Sequence, residues 1–153
     1  MTLNKNRAAI TASIIFVAAI LSTAAVAQTG HAKPLAIGVL APLTGPLAAY
    51  GTEFERGIRL AAAKLNAAGG VRGRPLDFLV RDDAGQPAQA VANTKALVDA
   101  GVVALTGLHG SDSVEAVLPL VESADVPLIG IASGAEVLRQ PARRDVFNIR
   151  AGI

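Results

Sequence analysis

Four short runs of strand type recur along this 153-residue chain, and a stretch with helical spacing or a turn follows each of them. That alternation limits the fold more than any single motif does. The runs are Leu35-Ala36-Ile37-Gly38-Val39-Leu40, Leu76 to Arg81, Val102 to Leu108, and Pro127-Leu128-Ile129-Gly130-Ile131, with Val146-Phe147-Asn148-Ile149 as the start of a fifth. Near-continuous apolar runs are the pattern of strands buried on both faces. Between the first two, Phe54, Ile58, Ala61, Ala62 and Leu65 recur at helical spacing while Glu53, Glu55, Arg56, Arg59 and Lys64 fill other faces. This predicts an amphipathic helix from about Ala48 to Ala67, ended by Gly69-Gly70. Pro87 suits the first turn of a second helix, whose buried face is Val91, Leu97 and Val98. Asp112-x-x-Glu115 has the spacing of an N-terminal cap, and Val114, Val117, Leu118 and Val121 give the third helix its stripe. Ala135 to Gln140 is at most a short helix. Strands alternating with helices imply right-handed crossovers, hence an α/β fold: a parallel sheet with helices on both faces. Such sheets bind ligands at the carboxyl ends of their strands. The candidate site segments are therefore 41–50, 82–85, 109–112 and 132–135.

The N-terminus says where this domain works. Lys5 and Arg7 precede a stretch without charge from Ala8 to Val26, centred on Ile14, Ile15, Phe16, Val17, Ile20 and Leu21, and Ala25-Val26-Ala27 is a small-x-small cleavage pattern. Residues 1–27 read as a secretory signal peptide, cleaved after Ala27; a membrane anchor is the competing reading. Residues 28–34 read as a flexible leader. With no Cys in the chain, disulfides, thiolate metal sites and lipid attachment at the cleavage point are excluded. Loss of Lys5 and Arg7 leaves 12 basic and 12 acidic residues, without the dense basic patch of a nucleic-acid binder. The expectation is a periplasmic protein of about 126 residues, not membrane-spanning after cleavage.

The strand-end loops carry the remaining chemistry. Leu108-His109-Gly110-Ser111-Asp112-Ser113 joins a strand to a helix N-terminus, where free N–H groups and the helix dipole favour an anion such as a carboxylate. Simple capping of the helix by Ser111, Asp112 or Ser113 is the alternative. Ala132-Ser133-Gly134-Ala135 occupies the equivalent place after the fourth strand; Ser133 can meet an ammonium or hydroxyl, or shape a turn. Tyr50 can wall a pocket or lie on the surface. Asp82-Asp83 can bind a cation or cap the next segment. There is no phosphate-binding or dinucleotide-binding glycine loop and no Gly-x-Ser-x-Gly elbow. His109 beside Ser111 is the one arrangement a Ser/His hydrolase could use, and no orienting acid or scaffold is evident for it. No catalytic residue, metal or cofactor is expected.

Several of these segments, in order, match a family. Ile37-Gly38-Val39-Leu40-Ala41-Pro42-Leu43-Thr44-Gly45-Pro46 with Tyr50-Gly51 resembles the opening of periplasmic binding proteins of branched-chain amino acid ABC transporters. Leu65-Asn66-Ala67-Ala68-Gly69-Gly70-Val71-Arg72-Gly73-Arg74-Pro75-Leu76 and Asp82-Asp83-Ala84-Gly85-Gln86-Pro87-Ala88-Gln89-Ala90 resemble its next landmarks, and Ser111 and Val126-Pro127-Leu128-Ile129 fall where the following ones fall. The resemblance implies a type I periplasmic-binding-protein fold of two lobes, of which 35–153 is an incomplete N-terminal lobe. It implies a solute-binding component of an ABC importer, which captures an amino acid or a related small polar or carboxylate ligand between two lobes and then docks on a membrane permease. By the same resemblance Ser111 holds the ligand carboxylate, Ala132 gives main-chain contacts, Tyr50 walls the side-chain pocket, and Gly134 stands where a Thr hydroxyl is common. Ser133 then substitutes for that hydroxyl, or the ligand lacks an α-ammonium. An extracellular sensing domain of the same fold is the rival reading.

Overall fold

In the computed structural model, which describes residues 32–149 and 151, five parallel strands form one sheet. They are β1 (Leu35–Ala41), β2 (Leu76–Asp82), β3 (Ala104–Gly107), β4 (Leu128–Ile131) and β5 (Val146–Asn148). The helices between them are α1 (Ala48–Ala67), α2 (Pro87–Asp99) and α3 (Ser111–Ala124), and a 3-10 turn, Glu136–Leu138, precedes β5. All of this belongs to the unit Lys33–Ile153. The expected signal peptide, 1–27, and the leader as far as His31 lie outside the described residues. Residues 32–34 take no regular structure, and the Arg74 guanidinium donates to the carbonyls of Lys33 and Pro34.

Strand order is β2-β1-β3-β4-β5. The chain leaves β1 in one direction to make β2, then crosses back over β1 to β3 and continues outward. Right-handed crossovers in opposite directions put their helices on opposite faces. Accordingly α1 packs on β1 and β2 from one side, while α2 packs on the same two strands from the other and lies against α3. The expected architecture, parallel with helices on both faces, is the one observed. The strand order reverses between β1 and β3, so a crevice opens between their carboxyl ends.

The core sits between the sheet and the α2–α3 layer. Leu40, Leu97, Leu105, Val114, Val117, Val121, Leu128 and Ile131 are buried there with Leu138 and Val146. Gly38 lets this layer approach: a Cβ on it would lie 2.7 Å from Leu105 Cδ2 and 3.0 Å from Leu97 Cδ1. On the α1 face, β4 and β5 carry no helix among the described residues, and the register partners Ile129 and Phe147 stand exposed.

Two sequence expectations need correction. The cap foreseen at Asp112-x-x-Glu115 does not form. α3 begins at Ser111 with Gly110 in the cap position, and no side chain caps it. Asp112 instead sits in the first turn, where its charge still favours the helix dipole. The third strand is shorter than 102–108: it begins at Ala104, and it ends at Gly107 because Leu108 turns to φ 59 and leaves strand geometry.

Candidate functional site

The crevice is built by three connections: β1 to α1, β3 to α3, and the segment after β4. Asp82, at the end of β2, clasps the first. Its Oδ1 accepts from the Leu43 N–H at 2.8 Å, the Thr44 N–H at 3.3 Å and the Ala84 N–H at 2.8 Å, and its Oδ2 from the Thr44 hydroxyl at 2.6 Å. Burial pushes this carboxyl up, but the Thr44 hydroxyl and the amides of Ala84, Leu43 and Thr44 outweigh it and hold the group below the usual range. Asp83 is fully buried and accepts from the Gly85 N–H at 2.8 Å. Its Oδ2 has no partner. Burial raises this carboxyl, partly countered by the Gly85 amide; the charge of Asp82 pushes it up further and His109 pulls it down. The pair is thus a loop clasp and a turn cap.

α1 starts on the clasped loop and lies directly against it. A Cβ at Gly51 would stand 2.2 Å from the Pro42 carbonyl oxygen, so only glycine allows this contact. At the end of β3, Gly107 has φ 93, and a Cβ there would lie 2.0 Å from the Leu40 oxygen. Leu108 follows at φ 59, buried and anchored by its N–H to the Leu40 carbonyl at 2.7 Å. A left-handed leucine costs about 1–2 kcal/mol, which this packing offsets. Gly110, at φ 92, then aims the chain into α3. The Ala132 N–H donates to the Leu108 carbonyl at 3.2 Å, and a bridge between His109 and Ala132 carries the β3–β4 pairing into both loops.

These connections border a shallow recess open to solvent, lined by Leu40, Pro42, Tyr50, Phe54, His109 and Ala132 among others. Tyr50 and His109 form one wall, with ring centroids 4.1 Å apart and planes tilted by 39°. Two residues beyond His109 the N-terminus of α3 begins. Its first intrahelical bond is Val114 N–H to the Gly110 carbonyl, and no side chain caps it. The amides of Ser111, Asp112 and Ser113 therefore have no intrahelical acceptor. Ser111, partly exposed, shares a 2.9 Å hydroxyl–hydroxyl bond with Ser133.

The sequence-derived candidates come together unequally. Tyr50 and Ala132 line the recess, and Ser111 stands beside it at the helix end. Ser133 is only 2% exposed, and its hydroxyl also accepts from the Ala135 N–H at 3.2 Å, so it braces Ser111 from behind. Gly134 is buried and does not line the recess. Ser111 bonds Ser133 and not His109, and His109 Nδ1 has no partner, so no nucleophile–base pair is assembled. Among the described residues no group of three or more His, Asp or Glu is placed to hold a metal. His109 falls in the candidate segment 109–112, whereas Gly51, Phe54 and Gly107 lie outside the candidate segments; the place of Gly51 beside Tyr50 is the one local signal for them.

Residues 34–152 match the family model described as periplasmic binding protein. The chain belongs to the periplasmic binding protein family. Its relatives include a Pseudomonas aeruginosa leucine-, isoleucine-, valine-, threonine- and alanine-binding protein, 36% identical over 76% of this chain and 31% of that protein. A Leu/Ile/Val-binding protein homolog of Brucella suis is 33% identical over 86% of this chain and 32% of its own length. Among solved structures, the branched-chain amino acid transporter substrate-binding protein of Streptococcus pneumoniae, in complex with isoleucine, superposes with a TM-score of 0.73 at 30% identity, covering 78% of this chain and 34% of that one. An extracellular ligand-binding receptor of Verminephrobacter eiseniae gives the same TM-score at 31% identity, covering 78% of this chain and 34% of that one. The family branch is therefore the branched-chain amino acid type, with the type I periplasmic binding fold. The chain spans about a third or less of the length of the relatives it matches. No helix among the described residues is long and apolar enough to cross a membrane.

Proposed function

We propose that this chain is the solute-binding component of an ABC importer, which captures an amino acid or a related small carboxylate in the recess between β1 and β3. The observation that carries this reading is the uncapped N-terminus of α3 with Ser111 braced beside the recess. Three unpaired amides and the positive end of the helix dipole suit a carboxylate. The Ser111 hydroxyl donates to that carboxylate, and Ser133 fixes its direction. Ala132 offers its carbonyl, since its N–H is committed to Leu108. Tyr50 closes the far wall. A second lobe then covers the ligand, and the closed form docks on a membrane permease. The setting is the periplasm, after cleavage behind Ala27. The names of the relatives support an amino acid as ligand.

Magnitudes set what this lobe does alone. Micromolar affinity needs about −8 kcal/mol, and half of that corresponds to millimolar binding. Ligand-observed saturation-transfer NMR of L-leucine with the chain tests the reading. Binding in the millimolar range is expected, weakened about three- to tenfold in Ser111→Ala by loss of one hydrogen bond. Leucine binding that Ser111→Ala leaves unchanged refutes it.

A further inference from the structure

Asp83 Oδ2 and His109 Nδ1 are both buried, and each is without a hydrogen-bond partner. They belong to two loops that hang on the same strand end. The Asp83 N–H donates to the Ala41 carbonyl at 3.2 Å, and the Leu108 N–H, next to His109, donates to the Leu40 carbonyl at 2.7 Å. β1 lies between β2 and β3, so these loops flank its carboxyl end from opposite sides. Two charges act on Asp83: Asp82 pushes its carboxyl up and His109 pulls it down. The Asp82 oxygens are committed to Leu43, Thr44 and Ala84, and Asp83 Oδ1 to the Gly85 N–H. The imidazole is therefore the group toward which Oδ2 can be satisfied.

A buried polar atom left unpaired has lost its water and gained nothing for it. One link here removes two such losses. The atoms do not bond each other directly, and a single water between them gives each a partner. Water donates to a carboxylate oxygen or a bare ring nitrogen, and accepts from a carboxylic O–H or a ring N–H. The link therefore closes wherever the protons of the pair sit. The same ring lines the recess and packs on Tyr50, with centroids 4.1 Å apart. Tyr50 is 49% exposed, so the firm hold on the imidazole comes from its buried side. We propose that Asp83 is a positioning residue: through a buried water it holds His109 Nδ1, and so sets the His109–Tyr50 wall of the recess from the turn after β2. Its effect on a ligand rests on the capture reading above.

Two substitutions separate this role from the turn cap. Asp83→Asn keeps an oxygen for the Gly85 N–H and a second polar atom for the link. Asp83→Ser keeps a hydroxyl that caps a short turn and has nothing left to reach His109. NMR of the full chain reads the cross-relaxation between the Tyr50 and His109 ring protons, and the dissociation constant for L-leucine. Wild type and Asp83→Asn should both show the ring–ring signals and bind leucine alike. Asp83→Ser should lose most of those signals and bind leucine about three- to tenfold more weakly, the worth of one net hydrogen bond. The Asp83 carboxyl carbon should titrate at higher pH in His109→Phe than in wild type, because the pull of the ring is gone. Full ring–ring signals or unchanged leucine affinity in Asp83→Ser, or ring–ring signals lost in Asp83→Asn, overturn the proposal. If Asp83→Ser does not fold, the titration decides, and a midpoint unmoved in His109→Phe overturns it. Leucine binding that is absent, or indifferent to Ser111→Ala, sinks the capture reading instead, and the ring contact and the titration still judge the hold of Asp83 on the wall.

Discussion

Two glycines of α1 provide a matched experiment on how the recess is built. Gly51 and Gly57 lie on the same helix, so a Gly→Ala change at either gains the same intrinsic helix propensity, about 0.8–1 kcal/mol. Their surroundings differ. A Cβ at Gly57 meets nothing within 4 Å. At Gly51 it meets the Pro42 oxygen at 2.2 Å and the Pro42 carbonyl carbon at 2.6 Å, far inside ordinary van der Waals contact from 3.4 Å. Pro42 cannot swing away as a side chain would, because Asp82 clasps the next two residues. Overpacking costs about 1–3 kcal/mol, and a backbone obstacle puts this site at the upper end. The net expectation is a loss of about 1–2 kcal/mol for Gly51→Ala after the propensity gain, and a gain of about 0.8–1 kcal/mol for Gly57→Ala. With an unfolding entropy near 2.1 cal/mol/K per residue, 1 kcal/mol moves the Tm of a domain of this size by about 4 °C. Calorimetry should therefore show Gly51→Ala about 4–8 °C below wild type and Gly57→Ala about 3–4 °C above it. A Tm that rises in both variants would refute the claim that α1 rests on the Pro42 backbone.

Asp82→Asn should lose about 1–2 kcal/mol at pH 7, because hydrogen bonds to a charged carboxylate become neutral ones. The carboxyl is held below its ordinary value in the folded state, so its contribution is present above 3.8 and lost as pH falls through the folded value. In urea unfolding, wild type and variant should converge at strongly acid pH, and a constant gap would contradict the clasp. Asp83 has the opposite sign. Its raised folded value means the contribution is full below 3.8 and lost as pH rises through the folded value. Asp83→Asn, whose side-chain oxygen can still accept from Gly85, should compare better with wild type at pH 7 than at pH 3. A deficit that grows toward pH 7 would show that the charged form is the stabilising one.

The frame of the fold was legible because it rests on local patterns. The period of Phe54, Ile58, Ala62 and Leu65 gives α1, and Gly69-Gly70 ends it where the chain must turn left-handed, with φ 98 and 72. Pro87 marks the start of α2. The crossover rule then fixes which edge carries the crevice. The details of that edge depend on contacts far apart in sequence. Asp82 can be read as a cation ligand or a cap until Thr44, 38 residues earlier, is seen to hold it. Ser133 reads as a contact residue until its hydroxyl is found occupied by Ser111, 22 residues away, and sealed from solvent. His109 reads as a base for Ser111 until its ring is seen against Tyr50, a residue that neither helical period nor loop composition could bring to it.

An amide-resolved NMR titration of the chain with L-leucine would localise the carboxylate. Saturable shifts are expected in the N–H signals of Ser111, Asp112 and Ser113, with smaller ones at His109 and Tyr50, at millimolar ligand. Shifts gathered at the start of α1 or α2 instead, or none at α3 up to about 50 mM, well above a millimolar constant, would contradict a ligand held by the open end of that helix.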